Sequence, residues 1–403
     1  MRRTQQGLPQ HAEVISLLND AYDGWGGQSY FHWKYEQYPA FDPDTQAFYS
    51  SRDGELAAFR RVFAKEVVDG SRTNTVFVLG DTAVDPAHRG EGLYSALHAD
   101  TVAFSERQGA DRVSTFNRKT NLTFEANRDR GWQYRELPLK IRLLSPDRVL
   151  RAYTDLVVPD LPAIETITEW LGDRLHIRTS NGPVSVRDCL HTEPPTGPRP
   201  QSIGPAVSDR TLAQLIDLAC STGPIDPLST LLEGWLHPQN GSRATGSRSA
   251  AANTAYQCHR TRKISAAEFD EIVDLYDDQT ASFRRAPVDI RHILQYPDCD
   301  IVLATDGQGC VGYAVVGPRS NGELREGRIL ELRVDCSAVF EVLIDEIEHL
   351  AVKRGYDILL VFTDRPMDEL WASVDQQVIM WRDLDTTSPP LVESCEISLY
   401  DVV

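Results

Sequence analysis

The residues most suited to binding a ligand lie between Val76 and Leu97. Residues 88–93, His-Arg-Gly-Glu-Gly-Leu, place two glycines so that successive backbone N–H groups can turn inward without a Cβ clash. A helical apolar stripe begins directly afterwards. Unpaired amides at a helix N-terminus bind phosphate groups, and Arg89 adds a cation. This stretch predicts a cradle for a pyrophosphate; the plainer alternative is an ordinary glycine turn.

A strand must position this loop. Val76–Leu79 is a β-branched and aromatic run typical of a buried strand, Thr82–Val84 continue it, and Pro86 ends its hydrogen-bonding ladder. The loop is not a Walker loop, because no Gly-Lys-Ser/Thr follows, and its glycine spacing does not fit the Rossmann fingerprint.

Residues 84–93 resemble motif A of the GNAT acyl-CoA N-acyltransferase superfamily, whose pattern is Arg/Gln-x-x-Gly-x-Gly/Ala. Gly109-Ala110-Asp111, the strand from Arg112 to Phe116, and Phe124 through Gly131-Trp132 are similar to the family's next helix end, strand and closing Gly-aromatic pair. The resemblance covers residues 1 to about 145 and implies an acyl-CoA co-substrate, most simply acetyl-CoA, with no metal.

The resemblance also implies which residues bind CoA. Those on the strand end, the loop and the helix start are Thr82, Ala83, Val84, His88, Arg89, Gly90, Glu91, Gly92 and Leu93. Two more, Asn121 and Phe124, are expected beside the pantetheine arm. Asn121 could equally be the N-terminal cap of its helix.

Acyl transfer from a thioester to an amine needs a deprotonated amine, a polarised carbonyl and a proton for the leaving thiolate. In the resembled family the strand before the loop often carries a carboxylate, and Asp81 is the ionisable residue on that strand here. Asp81 is therefore the candidate catalytic base, acting directly or through water. The alternative is a carboxylate in a bulge or turn that caps a neighbouring N–H.

The family frequently supplies the proton from a tyrosine four or so residues before the Gly-aromatic pair. That position is Asn127 or Arg128 here. The acid is then missing, or it comes from Tyr94, Tyr134, Tyr35 or water. A thiolate can also leave without a dedicated acid, since the pKa of a thiol lies only slightly above neutrality.

The rest of the first part predicts a helix at 11–22, a second helix at 31–36 and a hairpin with a type I′ turn at Asp53-Gly54. The three aromatic residues of segment 31–36 could form the acceptor wall or simply core. Residues 138–144 are expected to close the first sheet.

Residues 146–254 are rich in proline and carry only weak helical patterns, so they are interpreted as an irregular connector of unassigned fold, ending in a Ser/Gly-rich segment at 240–253. A strand is predicted at 175–179 and helices at 163–171, 212–220 and 228–236.

The last part, 255–403, repeats the first. Gln37-Tyr38-Pro39 recurs as Gln295-Tyr296-Pro297, and Val84-Asp85 as Val334-Asp335. The second copy is four residues shorter at the loop and has no glycine or arginine there. It is therefore expected to bind no CoA and instead to complete the fold, shape the acceptor site or hold a homodimer. The predicted fold class is α+β: two GNAT-like domains, each a mostly antiparallel twisted sheet flanked by helices.

This organisation resembles the tandem GNAT proteins of the mycobacterial aminoglycoside-acetylating kind, in which a C-terminal carboxylate reaches the active site. Those proteins end in a third domain, whereas this chain ends in its second GNAT-like copy. Whether the carboxylate of Val403 takes part is left open.

Composition restricts the partners. A net charge of −18 and the absence of a basic patch argue against nucleic acid and favour a cationic acceptor such as an amine. The seven cysteines form no Cys-x-x-Cys pair, and no histidine stands at metal spacing. With no apolar leader or spanning segment, the sequence predicts a cytoplasmic protein that does not enter a membrane.

The sequence thus predicts an acyl-CoA-dependent N-acyltransferase acting on a primary amine of a small molecule or peptide. The alternatives are a non-catalytic acyl-CoA-binding module whose second domain docks a partner, and a purely structural scaffold without affinity for CoA.

Overall fold

The computed structural model describes residues 4–145 except 23, 40, 70–71 and 120; residue 148; residues 176–179 and 182–185; and residues 256–402 except 277–281, 322–323, 368–370, 375–376 and 385–395. The helices predicted at 163–171, 212–220 and 228–236, the segment 240–253 and Val403 lie outside the described residues. The strand predicted at 175–179 is present.

The first part of the described chain contains β1 (Gln5–Gln6), α1 (His11–Tyr22), α2 (Gln28–Phe31) continuing as a π-helical turn (His32–Glu36), β2 (Ala47–Arg52), β3 (Glu55–Asp69), β4 (Arg72–Val84), a 3-10 turn (Pro86–His88), α3 (Leu93–Arg107), β5 (Arg112–Arg118), α4 (Leu122–Asp129), β6 (Gln133–Glu136) and β7 (Leu139–Leu143). A separate hairpin follows, made of β8 (His176–Thr179) and β9 (Gly182–Ser185).

The second part contains β10 (Gln257–Thr261), α5 (Ala266–Asp274), β11 (Ser282–Phe283), α6 (Pro287–Ile293), β12 (Asp300–Thr305), β13 (Cys310–Asn321), β14 (Leu324–Val334), α7 (Ser337–Arg354), β15 (Ile358–Phe362), β16 (Trp371–Val374), β17 (Gln377–Asp383) and α8 (Leu399–Val402).

The first sheet has the order β1-β2-β3-β4-β5-β17-β6, with β11 added on β3. The turn between β2 and β3 has φ of 52° at Asp53 and 93° at Gly54, which confirms the predicted type I′ turn. Helices α3 and α4 cover one face through apolar residues such as Leu97 and Phe124, and α1 and α2 cover the other. A sheet buried on both faces accounts for the continuous apolar run at the centre of β4.

Strands β4 and β5 pair in parallel only where Val76–Val78 lie opposite Arg112–Ser114, and they diverge beyond these residues. Beyond the last pair, the edge of β4 that faces β5 is unpaired. The register of β3 and β4 shifts at the same place, so that Asp81 and Thr82 together oppose Arg60, and Asp81 adopts a φ of 45°. This β-bulge marks the point where the sheet opens.

The second sheet repeats this arrangement with the order β10-β12-β13-β14-β15-β7-β16. Strands β14 and β15 pair in parallel from Glu326 to Arg328 and then diverge, and β14 also carries a register shift. Helix α7 covers one face of this sheet through residues such as Leu343 and Ile347. The mixed α and β fold with two mostly antiparallel, helix-flanked sheets is confirmed.

The two sheets exchange a strand. β7 lies between β15 and β16 in the second sheet, and β17 lies between β5 and β6 in the first. The prediction that residues 138–144 close the first sheet is therefore wrong. The pattern Leu-Lys-Ile-Arg-Leu of β7 fits either sheet, because alternation specifies a half-buried strand without specifying its neighbours. The exchange buries one apolar cluster between the sheets, to which Ile141, Leu360 and Ile379 contribute.

Candidate functional site

The loop after β4 has the backbone geometry of an anion cradle. Asp85 accepts a hydrogen bond of 2.7 Å from the N–H of Ala87 and starts the 3-10 turn. Gly90 and Gly92 follow with φ of 82° and 75°, and Gly92 is the N-cap of the 15-residue helix α3. No acceptor within the described part of the chain bonds the N–H groups of residues 90–92. These amides lie at the N-terminus of α3, where the positive end of the helix dipole favours an anion.

The side chains of the loop form a small charged network. Glu91 lies 2.9 Å from His88 Nδ1 and accepts a hydrogen bond of 3.2 Å from Arg52 Nε. The hydrogen bonds from His88 and Arg52 lower the pKa of the Glu91 carboxyl. Arg89 is exposed at the mouth of the loop. Glu91 is thus turned toward its own cations, and Arg89 is left to face an incoming anion.

The open edge of β4 supplies main-chain groups beside the loop. Thr82 and Ala83 retain their partners on β3 and α1: the Thr82 hydroxyl accepts from Arg60 Nε at 2.8 Å and its carbonyl accepts from the Tyr22 hydroxyl at 2.6 Å. The Thr115 hydroxyl of β5 donates to the Leu79 carbonyl at 3.0 Å, bridging the two strands where their pairing ends. The predicted strand-end residues Thr82, Ala83 and Val84 therefore lie along one edge that leads to the loop.

The side chain of Asp81 is buried, and both of its carboxylate oxygens accept hydrogen bonds. Its carboxylate accepts hydrogen bonds from Trp25 Nε1 at 3.0 Å, Lys34 Nζ at 2.7 Å and the Tyr35 hydroxyl at 2.8 Å. Burial alone would raise the pKa of Asp81, but the Lys34 charge and these three bonds outweigh it and leave the pKa lowered. Burial in turn lowers the pKa of Lys34 to about 8 despite the neighbouring carboxylate.

A carboxylate held in this way accepts a proton poorly, because protonation would break a buried ion pair. The geometry favours the alternative of a bulge carboxylate, although its donors are side chains rather than a backbone N–H. Asp81 fixes the segment after α1 onto the bulge of β4. Its role as catalytic base stays a prediction.

The aromatic residues of segment 31–36 belong to the core. Phe31, Trp33 and Tyr35 are all buried. Trp33 stacks on His292 with ring centroids 4.5 Å apart and donates from Nε1 to the His292 carbonyl at 2.9 Å. These contacts join the first part of the chain to α6, so packing, rather than an open acceptor wall, explains the aromatic side chains.

The two residues expected near the pantetheine arm, Asn121 and Phe124, differ in their exposure to solvent. Phe124 is buried and packs edge-on against Tyr134 at 5.2 Å between ring centroids. Asn121 is exposed at the N-cap position of α4, but its side chain makes no capping hydrogen bond. Asn121 therefore remains available to a ligand, whereas Phe124 belongs to the hydrophobic core between α3, α4 and the first sheet.

Arg60, which the sequence did not single out, lies against Tyr94, one of the tyrosines that the sequence offers as the acid. The Tyr94 hydroxyl donates to Asn127 Oδ1 at 3.2 Å, so it reaches the position on α4 where the resembled family places its tyrosine. The Arg60 guanidinium lies 5.0 Å from the Tyr94 ring centroid and 3.3 Å from His98 Nδ1. A buried arginine within the apolar run of β3 was the available sequence signal.

The second part of the chain has no equivalent loop. Cys336 is extended, with φ of −149°, and α7 starts at the next residue. Within residues 335–341, which the structure describes, no residue has a left-handed φ. The backbone therefore passes straight from strand to helix without turning amides toward a ligand.

The described residues include no group of three or more His, Cys, Asp or Glu side chains arranged to hold a metal ion. They also include no helix of the length and apolar character needed to cross a bilayer.

A mostly antiparallel sheet that opens beside a glycine loop at a helix N-terminus is a fold similar to that of two solved structures. One is Saccharomyces cerevisiae N-myristoyltransferase with bound myristoyl-CoA, which superposes with a TM-score of 0.54 at 10% sequence identity. The superposition covers 95% of this chain and 79% of the N-myristoyltransferase chain. The other is a probable N-acyltransferase from Enterococcus faecalis, which superposes with a TM-score of 0.50 at 12% sequence identity over 95% of this chain and 72% of its own chain. Sequence comparison with curated proteins gives no significant match.

The model of the acetyltransferase (GNAT) family matches residues 12–124. The matched range includes α1, the opened strand pair and the glycine loop.

Proposed function

We propose that the first sheet and its helices form an acyl-CoA-dependent N-acyltransferase, with acetyl-CoA as the simplest donor and a primary amine of a small molecule or peptide as the acceptor. The observation that supports this proposal is the loop at residues 88–93. Its free amides, its two left-handed glycines and the start of α3 suit a pyrophosphate, and the open edge of β4 beside it suits the pantetheine arm.

In the proposed reaction the neutral amine nitrogen attacks the thioester carbonyl carbon, the C–N bond forms, the C–S bond breaks and the sulfur leaves as a thiolate. The nitrogen gives up its surplus proton to water. The open edge of β4 offers main-chain N–H groups to the developing oxyanion. We propose Tyr94 as the group that donates a proton to the thiolate, because Asn127 holds its hydroxyl against α4. Of the two other tyrosines considered, the Tyr35 hydroxyl is bonded to Asp81, and Tyr134 is an exposed residue that packs edge-on against Phe124.

Calorimetric titration with acetyl-CoA tests the cradle. Gly92→Trp should abolish binding, because a side chain at a φ of 75° strains the loop and fills the space the amides face. Gly109→Trp is the matched control: it has a φ of 73°, lies just beyond the other end of α3 and has open space at its Cβ position. Unaltered affinity in Gly92→Trp, or equal loss in both variants, would overturn the proposed site.

Release of CoA during a screen of amines tests turnover. Tyr94→Phe should lower kcat while the affinity for acetyl-CoA is retained, and unchanged kcat would remove Tyr94 as the acid. A second function, a non-catalytic acyl-CoA-binding module, is favoured by one observation: the carboxylate predicted as base is locked in an ion pair with Lys34. CoA binding without release on any amine would support that alternative.

A further inference from the structure

The second sheet contains a cavity of about 140 Å³ at the place where β14 and β15 diverge. The cavity is lined by residues that follow the last parallel pair, such as Ile329 and Leu332 on β14 and Val361 on β15. The same divergence in the first sheet, after Val78, lies beside the glycine loop. The second part of the chain thus retains a cavity at the opening of the sheet although it has lost the loop.

An internal correspondence supports this comparison. The parallel pair begins at Val76 in β4 and at Glu326 in β14, so Asp81 corresponds in position to Glu331. Both carboxylates are held by a cation and a tyrosine. Glu331 accepts hydrogen bonds from Arg285 Nη2 at 3.1 Å and from the Tyr276 hydroxyl at 3.3 Å, and it borders the cavity.

The segment before the exchanged strand and the C-terminal segment both line the cavity. Leu137, two residues before the exchanged strand β7, contributes to its wall. Residues 396–398 also line it: Glu396 accepts a hydrogen bond from Arg333 Nη1 at 2.9 Å, and the Ser398 hydroxyl accepts from Arg285 Nη2 at 2.8 Å. These bonds join β14 and Arg285 to the C-terminal segment.

The charges around the cavity are unlike those of the whole chain, whose net charge is −18. Four arginines and three carboxylates line it: Arg135, Arg285, Arg333 and Arg365, with Glu331, Asp364 and Glu396. Arg285 is in ion pairs with Glu331 and Asp401, and Arg333 is in an ion pair with Glu396. Arg365 lies with its guanidinium 5.4 Å from the Phe340 ring centroid, and no carboxylate of the described residues is within ion-pair distance of it.

We propose that this cavity binds a small organic carboxylate whose apolar body packs on Phe340 and Leu332 and whose charge pairs with Arg365. An apolar cavity of about 150 Å³ holds a benzene molecule, so roughly six to ten non-hydrogen atoms fit. CoA and its pantetheine arm are too large. Arg365, which has no carboxylate partner among the described residues, selects an anion, and the side chains of Phe340 and Leu332 offer an apolar surface to its hydrocarbon body.

Titration of the full-length protein with benzoate, benzamide and benzylamine, followed calorimetrically, tests this proposal. Benzoate should bind at least tenfold more tightly than its neutral isostere benzamide and than the cation benzylamine. Equal affinity for all three compounds, or no binding of benzoate at millimolar concentration, would overturn it.

Two variants locate the site. Arg365→Gln should weaken the binding of benzoate at least tenfold, and Val334→Phe should abolish this binding by filling the cavity. Arg291→Gln is the matched control, because this exposed arginine also stacks on a phenylalanine ring, Phe269, at 4.7 Å but does not line the cavity. Acetyl-CoA affinity should be unchanged in Arg365→Gln, which separates this proposal from the function of the first sheet. Benzoate binding that survives both cavity variants would overturn it.

Discussion

Replacing Asp81 by asparagine tests what the central carboxylate does. The side chains of Lys34 and Asp81 are only 5% and 6% exposed, and their charged atoms are 2.7 Å apart. At an effective dielectric constant of about 20, their Coulomb attraction is roughly 6 kcal/mol. Removing one partner of a buried ion pair costs about 3–5 kcal/mol in practice. We therefore expect Asp81→Asn to lower the free energy of unfolding by about 3 kcal/mol.

A double-mutant cycle separates this pair from its surroundings. Lys34→Met should also destabilise, because it leaves the carboxylate with only Trp25 and Tyr35 as donors. The double variant should lose less than the sum of the two, with a coupling energy of about 2 kcal/mol or more, because neither charge is left without its partner. Urea unfolding at neutral pH, followed by circular dichroism, measures all four proteins.

The same four proteins test the catalytic role. If Asp81 is the base, as the sequence predicts, Asp81→Asn loses turnover while the affinity for acetyl-CoA is retained, and the double variant stays inactive although it loses less stability than the sum of the two single variants. Full turnover in a folded double variant would remove Asp81 as base. Additive losses of stability within about 0.5 kcal/mol would refute the argument that the ion pair fixes the segment after α1.

Three further outcomes are expected. Burial lowers the pKa of His98 to about 3 and the pKa of His292 to about 4, so the folded protein binds these protons only at lower pH than the unfolded chain does. Each histidine should therefore lower the free energy of unfolding by about 2 kcal/mol at pH 5, and an unfolding free energy that stays constant from pH 7 to 5 would contradict this. Met380→Ala, in the buried centre of the exchanged strand β17, should cost about 2–5 kcal/mol of unfolding free energy in urea titrations, and a loss below 1 kcal/mol would show that the strand is loosely packed. Because each sheet contains a strand from the other part of the chain, both sheets should melt in one calorimetric transition, and two separated transitions would show that the exchange does not couple them.

Local features were predictable because short-range chemistry fixes them. The loop needs glycine at 90 and 92 since both residues adopt a left-handed φ, and the Asp53-Gly54 turn follows the same rule. The loss of the loop in the second copy was likewise visible in the missing glycines. In each case the conformation depends on a few neighbouring residues, so the sequence of those residues carries the information.

The partners of Asp81 were not predictable in the same way. Trp25, Lys34 and Tyr35 lie 46–56 residues away along the chain, and only the packing of α1 and the π-helical turn on the bulge of β4 brings them together. The family pattern indicated where a carboxylate would stand. It did not indicate that the fold would commit both of its oxygens to hydrogen bonds.

The sequence by itself determined the match of residues 12–124 to the GNAT family model, the conformation of the glycine loop and the alternation of helices and strands, because backbone φ limits and apolar periodicity act locally. The tertiary structure decided which sheet each closing strand joins, what holds Asp81 and which residues border the cavity of the second sheet. Strand pairing and side-chain neutralisation depend on residues distant in sequence, and β7 satisfies the same alternating pattern in either sheet.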